Sequence, residues 1–174
     1  GAETMVQYML RDREKILDLF ELVTGARFSL NFLRFGGVRQ DVTEGFIERV
    51  LEVCDLIRVR IKEYNDLLTF NHSFLLRTHK LGTIQLDQVI RLGFTGPNAR
   101  ASGFDIDFRK RHPYCGYQNV DFSVPIGSIR TIGGDAHDRF LMRLREIGES
   151  IEVLRQVAER LPGGPFADES IVKN

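Results

Sequence analysis

The chain has 174 residues, 43% of them hydrophobic and 28% charged, which suits one compact domain or a piece of a larger one. Its 24 basic and 24 acidic side chains cancel, so it lacks the positive excess of a general nucleic-acid binder and the polybasic face that grips anionic lipid. No apolar stretch approaches the roughly 20 residues that cross a bilayer, and no signal peptide is visible, so membrane contact is expected only through partners.

The first helical signal runs from Glu3 to Val23, with Met5, Met9, Ile16, Phe20 and Val23 at helical spacing and Gly25 as the stop. Arg27 to Arg34 is aromatic-rich and strand-like, and it ends in Gly36-Gly37. A second helix is predicted over Thr43–Thr69. Phe46, Val50, Val53, Ile57, Ile61, Tyr64 and Leu68 make one apolar stripe, with Asp41 or Thr43 as the cap. A short helix is expected over Leu86–Leu92. Phe104–Phe108 and Val120–Val124 alternate apolar and polar at period two, which predicts two short strands around a turn-rich segment from Arg109 to Asn119.

The third long helix is the most regular. Phe140, Leu144, Ile147, Ile151, Leu154, Ala158 and Leu161 step by fours and threes, Asp135 is the N-cap, Asp138 complements the helix dipole, and Pro162 ends the run. The expected fold class is mainly α, a bundle of long helices with minor β elements. The opening Gly1-Ala2-Glu3-Thr4 and the close at Lys173-Asn174, after Pro162-Gly163-Gly164-Pro165, read as the cut ends of a larger domain.

Chemistry is sparse. Cys54 and Cys115 form no CxxC pair, and His72 and His79 have no third ligand in register, so no metal site is expected. The basic run Arg109-Lys110-Arg111-His112 with Tyr114 and Tyr117 could hold phosphate or RNA, but Asp105 and Asp107 precede it. A charge-paired loop at a protein interface is the stronger reading. The pairs Gly36-Gly37, Gly133-Gly134 and Gly163-Gly164 match no phosphate-cradling motif. His137 and Asp138 diverge on a helix and lack a nucleophile.

Longer strings say more. Val23-Thr24-Gly25-Ala26-Arg27, Leu33-Arg34-Phe35-Gly36-Gly37-Val38, Gly96-Pro97-Asn98-Ala99-Arg100-Ala101-Ser102-Gly103, Asp107-Phe108-Arg109-Lys110 with Pro113-Tyr114, and Gly134-Asp135-Ala136-His137-Asp138-Arg139 resemble, in order, the D-type subunit of NADH:quinone oxidoreductase, respiratory complex I. The resemblance implies a fold like the large subunit of nickel–iron hydrogenases, with the former nickel cavity serving quinone. It implies electrons arriving from NADH through flavin and iron–sulfur clusters, the last held by a neighbouring B-type subunit, with reduction coupled to proton or ion translocation. Implied partners are the B-type and C-type subunits and the membrane-arm subunit of the quinone channel, on the cytoplasmic face of a bacterial inner membrane.

The family's quinone-contacting His and Tyr fall upstream of Gly1, as does the Asp that partners that His. No catalytic residue, bound cofactor or metal is therefore expected in this chain alone, and the isolated piece is expected to self-associate. The resemblance places Arg27, Ser29, Arg34, Gly36 and Gly37 near the terminal cluster without ligating it, with plain pairing to carboxylates of the bundle an equal reading for Arg27 and Arg34, and leaves Arg100, Arg109, Lys110 and Tyr114 as interface candidates. Where family members often carry a His, this chain has Ser29. The loop from Gly127 to Gly133 is a few residues longer than the family spacing. Two alternatives stay open: the large subunit of an energy-converting hydrogenase, and a helical scaffold without redox role.

Overall fold

A computed structural model describes residues 2–127 and 133–172. The described residues are mainly α-helical. Helix α1 spans Glu3–Thr24, and Gly25 closes it in the left-handed region, donating its N–H to the Glu21 carbonyl at 2.8 Å. A hairpin of β1 (Leu33–Arg34) and β2 (Gly37–Val38) follows. Helix α2 (Phe46–Tyr64) continues into a π-turn, Asn65–Thr69. Short helices come next: α3 (His72–Thr78), α4 (Leu86–Leu92), α5 (Gly96–Ala101) and α6 (Phe108–Arg111). Helix α7 covers Ala136–Arg160 and α8 Glu169–Val172.

α2 lies between α1 and α7, and α5 packs on α7. Met5, Tyr64, Leu68 and Leu144 form the buried centre, flanked by Phe74 and Phe140. The α2 stripe is at least partly buried throughout, as its spacing predicts. Two details of α2 differ. It starts at Phe46 after Gly45 in the left-handed region, and neither Asp41 nor Thr43 caps it, because the Asp41 carboxylate accepts from the Val42 N–H instead. On α7, Asp135 caps as expected, accepting from the Asp138 N–H at 2.8 Å. The stripe surfaces toward its end, where Leu154 and Leu161 are exposed.

The two strands expected at Phe104–Phe108 and Val120–Val124 are not strands. In the first, the alternation holds only as far as Ile106: Asp107 is buried, Phe108 is exposed, and Asp107 caps α6 by accepting from the Arg109 N–H at 2.9 Å. The second is extended chain laid along α7. Its backbone donors are met by helix side chains, Asp121 N–H to Gln156 at 2.9 Å and Ser123 N–H to Glu149 at 2.8 Å, while Phe122 is buried. Period-two burial belongs to any extended segment on a surface; a ladder also needs a partner strand. The sheet that does form is the small hairpin at residues 33–38. Residues 128–132 of the loop read as longer than usual lie outside the described residues.

Candidate functional site

The hairpin is built from the end of α1 outward. The Thr24 hydroxyl bonds the Phe20 carbonyl at 2.8 Å, Gly25 turns the chain, and Gln40 returns to donate to the Val23 carbonyl at 2.7 Å. Glu14, Asp18 and Glu21 share one face of α1 by their spacing, and the Arg27 guanidinium folds back onto all three. Its hydrogen bond holds the Asp18 carboxyl below the usual range. Arg27 is thereby a staple between helix and loop. Ser29 then reverses the chain with φ 55°, an uncommon conformation for a residue with a side chain.

Leu33 pairs with Val38 and Arg34 with Gly37, leaving Phe35-Gly36 as the turn. Gly36 supplies the positive φ of 83° that the second turn position requires. Gly37 answers a different demand. A Cβ there would stand 2.3 Å from the Phe166 carbonyl oxygen and 2.8 Å from the Ala167 Cα. The chain's own segment 165–168 lies against the hairpin through Val38 N–H to Phe166 O at 3.0 Å and Asp168 N–H to Gly36 O at 2.9 Å. The close approach expected of Gly36-Gly37 toward a partner is, at Gly37, an approach to this chain's own backbone.

The outer end of this braced hairpin is bare. Phe35 is 93% and Leu33 80% exposed, and Phe28 is exposed under the Arg13 guanidinium. Arg34 bonds Asn31 and the Leu33 carbonyl but no carboxylate. The arrangement presents a cation amid apolar side chains on a fixed loop. Such a surface can exclude water from a partner and stabilise negative charge held by it. Among the described residues, no three His, Cys, Asp or Glu side chains converge as a metal site, and none of their helices is long and apolar enough to cross a membrane.

The interface candidates divide. Arg100, expected at an interface, is 4% exposed: it bonds Glu146 on α7, pairs with Asp107 at 3.3 Å and donates to the Ile106 carbonyl at 3.1 Å. Arg109 closes the group through Asp107 at 2.7 Å and Glu146 at 3.3 Å. Burial pushes the Asp107 carboxyl up, but hydrogen bonds from Arg109 and the charge of Arg100 outweigh it and leave it below the ordinary range. Lys110 lies over the Phe122 ring at 4.3 Å. Lys110 and Tyr114 are exposed.

The profile of the family described as respiratory-chain NADH dehydrogenase, 49 Kd subunit, matches residues 1–173. The chain belongs to that family. A D-type NADH-quinone oxidoreductase subunit of Rhizobium etli is 43% identical over 166 residues, 95% of this chain and 40% of the relative. NADH-quinone oxidoreductase subunit 4 of Thermus thermophilus is 43% identical over 168 residues, 97% and 40%. A D-type NADH-quinone oxidoreductase subunit of Thermodesulfovibrio yellowstonii is 40% identical over 169 residues, 97% and 41%. The chain thus spans about two fifths of these relatives' length. Of the families the sequence left open, this selects the 49 Kd subunit of NADH dehydrogenase over the large subunit of a hydrogenase.

In this 49 kDa family member, sequence reasoning missed a buried polar junction between α1 and α2. Asp12, 3% exposed, accepts from Tyr64 Oη at 2.5 Å and from Arg11 Nε at 2.8 Å, with Arg60 at 3.4 Å. Burial raises the Asp12 carboxyl, and the bonds from Arg11 and Tyr64 bring it below the usual range. Burial and Asp12 together push the Tyr64 phenol up. The signal was in the α1 stripe, which jumps seven residues from Met9 to Ile16. Asp12 fills that gap and faces inward, while Ile16 and Phe20 are exposed.

Proposed function

We propose that this chain is the middle portion of the quinone-reducing core subunit of an NADH:quinone oxidoreductase, part of one larger domain. The observation that carries it is identity of 40 to 43% across almost the whole chain with subunits that bear that name. In the whole complex, NADH, flavin and iron–sulfur clusters supply electrons to quinone, coupled to ion translocation. The chain's own contribution is positional. Arg34 brings a positive charge to the junction with an iron–sulfur partner, Phe28, Leu33 and Phe35 keep that junction dry, and Arg27 holds the loop to α1.

The exposed area supports such burial by neighbours. The chain exposes 11364 Å², whereas a self-contained monomer of 19.9 kDa would expose about 8,700 Å². The partners this reading names are the B-type and C-type subunits and the membrane-arm subunit of the quinone channel, at the cytoplasmic face of the membrane. The hairpin tests it. Phe35→Asp in the full-length subunit should release the iron–sulfur subunit on a native gel while the subunit itself stays folded. Normal assembly with Phe35→Asp would remove the docking role.

A further inference from the structure

The π-turn that ends α2 is a costly piece of backbone. It fits one more residue into a turn than an α-helix does, and such turns persist where surrounding contacts hold them, often at functional places. Here a ladder of side chains does so. Asn65 Nδ2 donates to the Ile61 carbonyl at 2.9 Å, Thr69 Oγ1 donates to Asn65 Oδ1 at 2.8 Å, and His137 Nε2 meets the Thr69 carbonyl at 2.8 Å. A carbonyl only accepts, so His137 carries its proton on Nε2. That leaves His137 Nδ1 buried without a hydrogen-bond partner.

The last rung therefore joins α7 to the turn while leaving an acceptor unmet, so this arrangement does not satisfy every buried group. Beside the turn lies a groove of about 380 Å³ between Asn65, Thr69 and Phe70 on one side and Leu141, Arg145 and Gly148 on the other. Phe70, just past the turn, is 70% exposed. Between the wide register and an α-register, each residue beyond the turn differs by about 100° around the helix axis.

We propose that Asn65–Thr69 is a two-register latch. It stays wide while His137 holds the Thr69 carbonyl, and it tightens toward α-register when that bond opens, re-aiming Phe70 and α3 beside the groove. This reading is independent of the quinone assignment. It rests on the turn, its ladder and the unmet acceptor.

The test is hydrogen–deuterium exchange, read by mass spectrometry, on the assembled complex. In the unmodified complex, amides of residues 66–72 should exchange at least ten-fold faster than those of 50–61 on the same helix. His137→Phe keeps the ring against Phe74 and Phe140 but removes the N–H. It should let the turn settle into α-register and slow exchange at 66–72 by about ten-fold, toward the rate of 50–61, without change at 149–157. Equal protection of 66–72 and 50–61 in the unmodified complex would overturn the latch whether or not the variant assembles. A uniform rise along α2 and α7 would make His137 a packing residue only, and would overturn it as well.

Discussion

Replacing Gly37 with alanine tests how the candidate site is held. The new Cβ would lie 2.3 Å from the Phe166 carbonyl oxygen and 2.8 Å from the Ala167 Cα, both backbone atoms with no rotamer to escape through. Ordinary contact needs about 3.2 Å or more, so the bracing segment must retreat by roughly 1 Å. That breaks Val38 N–H to Phe166 O, now 3.0 Å, and Asp168 N–H to Gly36 O, now 2.9 Å. At about 1 kcal/mol for each bond and about 1 kcal/mol for an L-residue at φ 152°, the local loss is about 3 kcal/mol. Hydrogen exchange at residues 36–38 and 166–168 of the full-length subunit should quicken about a hundred-fold. Gly25→Ala is the control, because φ is 75° there but nothing lies within 4 Å. It should show backbone strain alone, about 1 kcal/mol at the end of α1. Equal effects of the two substitutions would refute the close-approach argument.

Three further outcomes are expected. Arg100→Leu leaves Asp107 and Glu146 with Arg109 alone, and should cost about 3–5 kcal/mol by denaturant titration; a loss below 1 kcal/mol would mean that the cluster is solvated. Asp12 and Asp107 both titrate below their ordinary value in the folded chain. Their contribution is complete above about pH 4–5 and is lost as pH falls through the depressed folded values, so acid unfolding should move to higher pH in Tyr64→Phe, which removes one bond to Asp12. Ser29 cannot take up a proton near neutral pH as a histidine can. The midpoint potential of the terminal cluster in the whole complex should therefore change by well under ~59 mV per pH unit, suiting a low-potential quinone such as menaquinone; a slope near that value would sink the idea.

Much of the fold is legible in the residues. The stripes of α2 and α7 lie where their spacing puts them, and Gly25, Asp135 and Leu86–Leu92 perform as their types suggest. What misled is local. Alternation at 104–108 and 120–124 resembles strands because extended chain on a helix buries every second side chain too, and Asp107 is buried for its arginines. Arg100 reads as a surface cation until Glu146, 46 residues later, is brought beside it by α5 packing on α7. Arg27 and Arg34 look alike in sequence. Only the face of α1 that carries Glu14, Asp18 and Glu21 separates a stapled arginine from one without a carboxylate. The π-turn has no spacing signal, since its stripe is the same Tyr64-to-Leu68 step that an α-helix would show.

The most direct test of the central claim is Arg34→Ala in the full-length subunit in its native membranes. NADH:quinone activity is compared with NADH:ferricyanide activity, which uses only the flavin end, and assembly is followed on a native gel. Loss of quinone reduction in an assembled complex with ferricyanide activity intact is the predicted result, and it would place Arg34 at the electron exit. Unchanged quinone reduction would contradict the account, and loss of assembly would make Arg34 a structural residue instead.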